Sequence, residues 1–380
     1  MRSYKIEIKP TQEQISKINQ TIGVCRYLYN LYLATNQEKY DQGLPFISGM
    51  DFDKWINNVH SKVAGFEWIK DVSSKARKKS IMNGEAAYKK FFKKLSRFPK
   101  FKKKRNQDVT IYFPKNNDTA WTVERHRIKI PTLGWMRLKE FGYLPSNAQI
   151  KSGTVSFKAG RYYVSVLVDK QSISTNEVTY SQGVGIDLGV KDLAIVSNGQ
   201  VFKNINKTGK VKKLKKLLKH AQRQLSRKYE MRKRNGGTAA NINKQCLRVQ
   251  KLYQRITNIR YDHINKVIAE QVKNKPSYIT IEDLNIRGMM KNRHLSRAIG
   301  EQCLSMLVDK LITKAKYYGI ELRQADRFFP SSKTCSCCGN IKSDLKLKDR
   351  TYNCTSCGLS IDRDVNAAIN LRDVKKYKIA

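Results

Sequence analysis

This sequence predicts an α/β and mixed multidomain fold. A small β-barrel carrying a helical insertion is followed by an α/β domain into which a four-cysteine ribbon is inserted. Three observations predict it. Short alternating strands crowd residues 109–168, and one more lies near Tyr4–Ile8. Two buried apolar strands, near 184–190 and 278–284, alternate with long amphipathic helices. Two CxxCG pairs sit close to the end. At 380 residues the chain is long enough for two or three domains with real cores.

Composition bounds the partners. Lysine and arginine number 75 against 31 acids, a formal net charge of +44. A compact chain of that charge repels itself unless a polyanion neutralises it. Nucleic acid, bound through phosphate contacts and counterion release, is the expected partner. A generic basic surface, as in a ribosomal protein, is the bland alternative, and charge alone does not separate an enzyme from a binder. No apolar run approaches membrane-spanning length, so no membrane association is expected. The start, Met1 to Ile6, lacks the apolar stretch of a secretory signal, which points to the cytoplasm.

Taken in order, Tyr4, Ile6 and Ile8 alternate with Lys5 and Glu7 and predict a strand. Pro10-Thr11 with Glu13 reads as a helix start, and Ile15, Ile18, Ile22, Cys25, Leu28, Tyr29 and Tyr32 follow at helical spacing. Helices are also expected over 54–70 and 73–95, making 11–96 a helical block inserted after the first barrel strand. Ser96 to Arg105 interleaves basic side chains with Phe98 and Phe101. That pattern suits phosphate contact plus base stacking, or equally a solvated basic linker.

Strands are expected at 109–113, 127–130, 136–138, 149–151, 154–157 and 161–168, parted by Gly, Pro and Asn turns; this spacing suggests a small barrel. A polar linker covers 172–181. Next come strands at 184–190, 193–197 and 200–202, the last two joined by Asn198-Gly199, a hairpin signal. Residues 208–234 form an amphipathic helix with a cationic outer face, read as a nucleic-acid track rather than a merely solvated face. A second long helix covers 241–272, with His263 a packed or capping residue. A strand at 278–284 ends in acids, a helix spans 296–318 to a Gly319 cap, and 320–323 is a strand.

The chemistry lies in cysteines and acids. Of eight cysteines, Cys335, Cys338, Cys354 and Cys357 form two CxxC pairs, each followed by glycine. In a reducing cytoplasm such pairs read as metal ligands rather than disulfides. Four thiolates suit tetrahedral zinc, and a site with no open position is structural. Cys337 creates an ambiguity of register; Gly339, matching Gly358, favours Cys335 and Cys338.

Asp187 lies within an apolar strand and Glu282 ends another, where a lone carboxylate is costly. Asp364 opens a short helix through Asn366-Ala367-Ala368. Singly, each acid would be read as a cap or a salt-bridge partner. Together in a basic protein, three such acids suit two divalent cations about 3.5–4 Å apart that bind the attacking and leaving oxygens of a phosphodiester. Oxygen ligands point to Mg²⁺ or Mn²⁺. Asp192, Asp283 and Asp362 are secondary.

The order Gly185-Ile186-Asp187-Leu188-Gly189-Val190, Ile281-Glu282-Asp283-Leu284 and Asp362-Arg363-Asp364-Val365-Asn366-Ala367-Ala368 resembles a split RuvC nuclease site. Phe329-Pro330-Ser331-Ser332-Lys333-Thr334-Cys335, leading into the ribbon, resembles the TnpB family, the transposon-encoded ancestors of type V CRISPR effectors. Phe98-Pro99-Lys100-Phe101-Lys102 and the N-terminal strand and helix fit the same family. The resemblance implies a prokaryotic RNA-guided DNA endonuclease with a ribonuclease-H-like RuvC core. It further implies a guide RNA from the transposon end, a double-stranded DNA target recognised beside a short flanking motif, and a monomeric ribonucleoprotein associated with the nucleoid when on DNA. Asp187 would bridge both metals, and Glu282 and Asp364 would each hold one. The implied domains are a wedge-like barrel (1–10 and 106–178), a helical recognition lobe (11–105), a RuvC-like domain (179–329 and 359–380) and a zinc ribbon (330–358).

Three rivals remain. Gly185 to Gly189 also resembles the first phosphate loop of actin-like ATPases, but no second Gly-rich loop follows. A nuclease-inactive or unguided zinc-ribbon DNA-binding protein, such as a transposase accessory, would be supported by the loss of an acid, and all three are present. A miniature type V CRISPR effector would differ in genome neighbourhood alone.

Overall fold

The computed structural model describes residues 1–103, 109–114, 121–146, 148–169, 182–236, 238–346 and 348–380. The linker expected at 172–181, and Lys104 and Arg105 of the basic–aromatic stretch, lie outside the described residues. The chain divides into two compact units, Met1–Gln171 and Ser172–Ala380.

The first unit begins with strand β1 (Arg2–Lys9), then helices α1 (Gln12–Asp41), α2 (Gly49–Asn58) and α3 (Ser74–Phe92). Strands β2 (Val109–Pro114), β3 (Thr122–Val123), β4 (Arg127–Ile130), β5 (Gly134–Leu138), β6 (Ile150–Lys158) and β7 (Arg161–Val168) follow. They form one antiparallel sheet in the order β2-β6-β7-β1-β5-β4-β3. The first strand therefore pairs with the later ones, and the three helices are an insertion between β1 and β2, as the sequence predicts. Alternation puts Tyr4, Ile6 and Ile8 into the sheet's core, where Ile18 of α1 and Ala76 of α3 join them. A second core, built on Leu28, Tyr32, Phe52, Ile56, Ile69 and Ile81, holds the helices together.

Several boundaries differ from expectation for physical reasons. The box at the start of α1 is closed by Gln14 rather than Glu13: Thr11 and Gln14 cap one another reciprocally. The helix expected over 54–70 stops at Asn58, and short 3₁₀ turns at His60–Lys62 and Glu67–Asp71 replace its second half. Gly65 between them has φ +87°, a left-handed conformation that ends helical propagation. The strands expected at 149–151 and 154–157 are one strand, because Gly153 is not a break: the Trp121 ring covers it where a Cβ would stand.

The second unit contains β8 (Val184–Leu188), β9 (Asp192–Val196), β10 (Val201–Lys203), α4 (Gly209–Asn235), α5 (Ala240–Lys273) and β11 (Tyr278–Glu282). It continues with α6 (Ile286–Met289), α7 (Ser296–Gln302), α8 (Leu304–Tyr318), β12 (Glu321–Ala325), β13 (Thr351–Asn353), β14 (Ser360–Asp362), α9 (Arg363–Arg372) and β15 (Tyr377–Ile379). Six strands form a mixed sheet ordered β10-β9-β8-β11-β12-β15, in which β11 runs parallel to both β8 and β12. Ile186, Leu188, Ile279, Ile281 and Leu322 pack with Ile264, Val267 and Ile268 of α5 and with Leu307 and Leu311 of α8. The opposite face receives α9. No described helix is long and apolar enough to cross a membrane.

The helix expected over 296–318 is broken at Cys303, which adopts φ +56°. The break turns the Gln302 amide onto the carbonyls of Gly189 and Val190, at 3.3 and 3.0 Å, tying α7 to the turn after β8. Strand β15 went unread in the sequence. Its position is fixed by Arg323, whose guanidinium sits 3.6 Å from the Tyr278 ring centroid and 4.3 Å from that of Tyr377.

Candidate active site and metal centre

Strand parity decides where the acids go. Successive side chains of a strand point to opposite faces. With Ile186 and Leu188 committed to the α5/α8 face, Gly185 and Asp187 face α9. With Ile279 and Ile281 committed to that same core, Thr280 and Glu282 also face α9. Because β8 and β11 are parallel neighbours, Asp187 and Glu282 come to the same end of the same face. This is the carboxyl end of parallel strands, where open α/β sheets bind ligands.

Asp364 is delivered by α9. A Cβ at Gly185 would run into the Ala368 carbonyl and the Arg372 amide, so glycine is what lets α9 lie directly on β8. The helix starts where it does because Asp362 caps it, accepting from the amides of Asp364 and Val365 at 2.9 and 3.1 Å. Asp364 thus stands in the first turn, facing Asp187. Burial first, then the charges of Glu282 and Asp364, push the Asp187 carboxyl up to about 8, with Arg363 acting in the opposite direction. Glu282 and Asp364 are therefore both brought within electrostatic reach of Asp187.

Each outer acid has a partner that sequence reasoning missed. The Ser331 hydroxyl donates to Glu282 Oε1 at 2.7 Å. Arg363 donates to Asp364 Oδ1 at 3.3 Å, and Arg350 lies 3.7 Å from Asp364 Oδ2. Of the secondary acids, Asp283 is paired with Arg327 at 2.9 Å, Asp362 caps α9 while its charge also pushes the Asp187 carboxyl up, and Asp192 opens β9. His263 bonds the Lys203 carbonyl at 3.0 Å, the packed role expected of it.

The four predicted cysteines converge. The sulfurs of Cys335, Cys338, Cys354 and Cys357 all lie within 4.8 Å of one another, the one such donor group drawn that close among the described residues. Cys335 and Cys357 are 3.6 Å apart, as are Cys338 and Cys354. Ligands about 2.3 Å from a central ion at tetrahedral angles would be spaced by about 3.8 Å, so the donor set fits a tetrahedral thiolate-bound ion. Cys337 is exposed and outside the cluster, which settles the register.

The two knuckles share one hydrogen-bond pattern. Cys335 N donates to Asn340 O and Gly339 N to Cys335 O; Cys354 N donates to Leu359 O and Gly358 N to Cys354 O. Both glycines need positive φ, +75° and +73°. The Cys357 amide first, and with it the Ser356 amide, hold the Cys354 thiol down to about 6. Fully buried Tyr352 forms the small core.

The ribbon is stitched to the helix that carries Asp364. Buried Asn366 donates to Thr334 O at 2.6 Å and accepts from Ser336 N at 3.0 Å. Asn370 donates to the carbonyls of Ser331 and Thr334, both at 2.7 Å. Two asparagines four residues apart, set among Val365, Ala367, Ala368, Ile369 and Leu371, were the sequence signal for this.

Comparison with known proteins agrees with this layout. A family model described as "Cas12f1-like, TNB domain" matches residues 305–371, and one described as "Probable transposase" matches 163–293. A third, described as a helix-turn-helix domain, matches 1–44, where the structure has a strand and a single 30-residue helix. The "Putative RNA-guided DNA endonuclease InsQ" of Escherichia coli (strain K12) is 30% identical over 98% of this chain and 91% of its own length. A "Putative RNA-guided DNA endonuclease" of Streptomyces pristinaespiralis is 30% identical over 97% and 88%. A cryo-EM structure of a Cas12f1–sgRNA–target DNA complex covers 97% of this chain and 84% of its own, with TM-score 0.57 at 17% identity, a likeness of fold. The chain belongs to the TnpB family, the OrfB-type proteins of IS605-class insertion sequences.

Proposed function

We propose that this chain is an RNA-guided DNA endonuclease encoded by an insertion sequence, cleaving DNA beside a short flanking motif at a RuvC-type site of Asp187, Glu282 and Asp364. The observation that carries the reading is that Asp187 and Glu282 share one end of one sheet face beneath α9, which brings Asp364, so that burial and then the charges of Glu282 and Asp364 raise the proton affinity of Asp187. A metal-free arrangement of this kind opposes its own ionisation. Mg²⁺ or Mn²⁺ ions held there would supply Lewis-acid stabilisation of the phosphodiester oxygens and acidify water. Asp187, central to the trio, would be shared between two ions; Glu282 and Asp364 would hold one each. Ser331 orients Glu282, and Arg363 and Arg350 neutralise Asp364 in the free protein.

The four thiolates would hold structural Zn²⁺. Its part is to brace the loop and helix that position Ser331 and Asp364. The cationic helix α4 and the +44 charge suit guide RNA and the DNA target. In the division of labour of guided effectors, base pairing reads sequence and the protein reads the flanking motif. In domain terms, 1–10 with 106–178 would be a wedge-like β-barrel and 11–105 a recognition lobe. Residues 179–329 with 359–380 would be the ribonuclease-H-like nuclease and 330–358 the ribbon, in a monomeric ribonucleoprotein.

The test begins with sequencing of RNA that copurifies from the native locus. One dominant species running past the element's end is expected. A DNA library matched to that RNA, with randomised flanks, should then be cut with Mg²⁺ by the wild type. Asp187→Ala should bind RNA and target as before and lose cutting by at least about a thousandfold. Residual Mg²⁺-dependent cutting by that variant would remove Asp187 from the site.

A further inference from the structure

Helices α4 and α5 pack as a hairpin with a small core of its own, Val211, Leu214, Leu218 and Ala221 against Val249 and Ile256. Its cations are treated in two ways. Near the sheet-packed end of α5 they are paired: Lys215 and Arg260 meet Glu301 at 2.6 and 3.9 Å, and Lys266 meets Asp262 at 2.8 Å. Earlier in α5, Lys244, Arg248, Lys251 and Arg255 are exposed. Among the described residues, no ion pair or hydrogen bond engages any of these four. From Ala240 to Tyr261 the sequence of α5 holds no acid.

Their spacing makes them one feature. Steps of four, three and four residues keep all four side chains on a single stripe of the helix, about 16 Å long. They line a groove of about 360 Å³, with Leu217 of α4 and Leu247 and Leu252 of α5 as its apolar part. Four like charges this close repel one another, and among the described residues no carboxylate lines the groove to offset them. A small anion would satisfy one or two of them. A polynucleotide strand, carrying a phosphate every few ångströms, meets the whole row.

The lining also selects which part of which nucleic acid. Among the described residues it holds no aromatic ring on which an unpaired base could stack. It holds no amide or carboxylate to read a base edge either. Cations beside aliphatic side chains suit a backbone. Farther along, α5 packs Ile264, Val267 and Ile268 on the sheet face opposite the one that carries Asp187 and Glu282. The stripe lies about 13 to 30 Å along the helix from Ile264. A strand held here is not the strand being cut. We infer that the groove seats the sugar-phosphate backbone of a base-paired segment of the bound RNA, gripping it from the side of the sheet away from the acids. The inference rests on the guided reading above and names a surface that carries its RNA.

The test uses the full chain, its copurified RNA and a matched DNA target. Lys244→Gln, Arg248→Gln, Lys251→Gln and Arg255→Gln together should weaken RNA binding at least about tenfold in about 0.1 M salt. They should also flatten its salt dependence by about four ions, and Arg248→Gln alone by about one. The melting temperature should hold. The charge-keeping exchange, Lys244→Arg, Arg248→Lys, Lys251→Arg and Arg255→Lys, should retain both affinity and slope. Hydroxyl-radical footprinting of the wild-type complex should show a base-paired RNA segment whose protection the glutamine variant loses. Lys212→Gln, Lys216→Gln, Lys219→Gln and Arg223→Gln, on the outer face of α4, remove the same charge and should leave that protection in place. Unchanged affinity and slope in the stripe variants, with the wild type still carrying one dominant RNA, would overturn the seat and leave the guided reading standing. So would a loss of protection confined to unpaired RNA or to the target DNA, or one that the α4 variant reproduces. A wild type that carries no dominant RNA would remove the guided reading and the seat with it.

Discussion

The thiolate cluster and the carboxylate trio lie in the same compact unit and are assembled in opposite ways. The thiolates come from two short loops within 23 residues of sequence, each loop a self-contained knuckle with its own hydrogen bonds and its own left-handed glycine. The carboxylates come from two strands and a helix spread over nearly 180 residues. Backbone amides aimed at sulfur favour the charged form of Cys354, whereas burial and like charge disfavour that of Asp187. In the thiolate cluster local backbone amides hold Cys354 down while, against the Leu359 amide, burial and the neighbouring sulfurs push Cys357 up; both clusters therefore hold like groups together, the first by its own two loops and the second by a sheet and a packed helix. The first suits a structural ion and the second would suit catalytic ions that relieve the repulsion.

The largest effect expected from this contrast is loss of the ribbon. Cys354→Ala should abolish zinc retention, measured by elemental analysis of the purified chain. Structural zinc contributes on the order of 10 kcal/mol to a small metal-stapled unit, far more than Tyr352 and a few apolar contacts supply. Because Asn366 and Asn370 bind Thr334 and Ser331, cutting should fall with the zinc, although no acid has been touched. A variant that loses zinc but cuts at the wild-type rate would show that the two centres are independent.

This asymmetry also explains what was legible in the sequence. The knuckles could be read because their ligands, spacing and glycines lie within one short window. Asp187 and Glu282 could be singled out because a carboxylate in an apolar strand violates burial rules, and strand parity then places both on one face. Ser331 could not be read: its hydroxyl reaches Glu282 across 49 residues of sequence, and nothing about a serine in a Pro-Ser-Ser turn announces that contact. Strand β15 escaped because three residues near the end carry too little alternation; its place is set by the Tyr278–Arg323–Tyr377 stack. The break at Cys303 escaped for a similar reason, since a tertiary contact of Gln302 overrides an unbroken helical pattern.

The second prediction concerns the carboxylates alone. The unfolded chain releases the Asp187 proton near pH 4, while the folded, metal-free chain holds it to about pH 8. Over that window the folded state binds more protons, so stability falls as pH rises. Asp187→Asn removes this slope. Without divalent cations beyond the ribbon's own, the variant should melt higher than wild type at pH 8, by a margin worth on the order of a few kcal/mol, and the gap should close toward pH 4. Mg²⁺ should raise the wild-type melting temperature and leave the variant's unchanged. Parallel melting curves across the pH range would mean that Asp187 is not held against its charge.

The smallest effect sits at the joint between the two centres. Ser331 is the residue through which the ribbon's leading turn touches the trio: its hydroxyl orients Glu282, and its carbonyl accepts from Asn370. Ser331→Ala deletes the first contact and keeps the second, so zinc content and melting temperature should hold. A hydrogen bond to a charged group is worth about 1.5–3 kcal/mol, and loss of orientation on that scale should slow cutting roughly tenfold and raise the Mg²⁺ concentration needed for half-maximal rate. Ser331→Thr keeps a hydroxyl and should recover most of the rate. A Ser331→Ala variant with normal Mg²⁺ dependence would mean that β11 alone aims Glu282, and that the ribbon influences the acids only through α9.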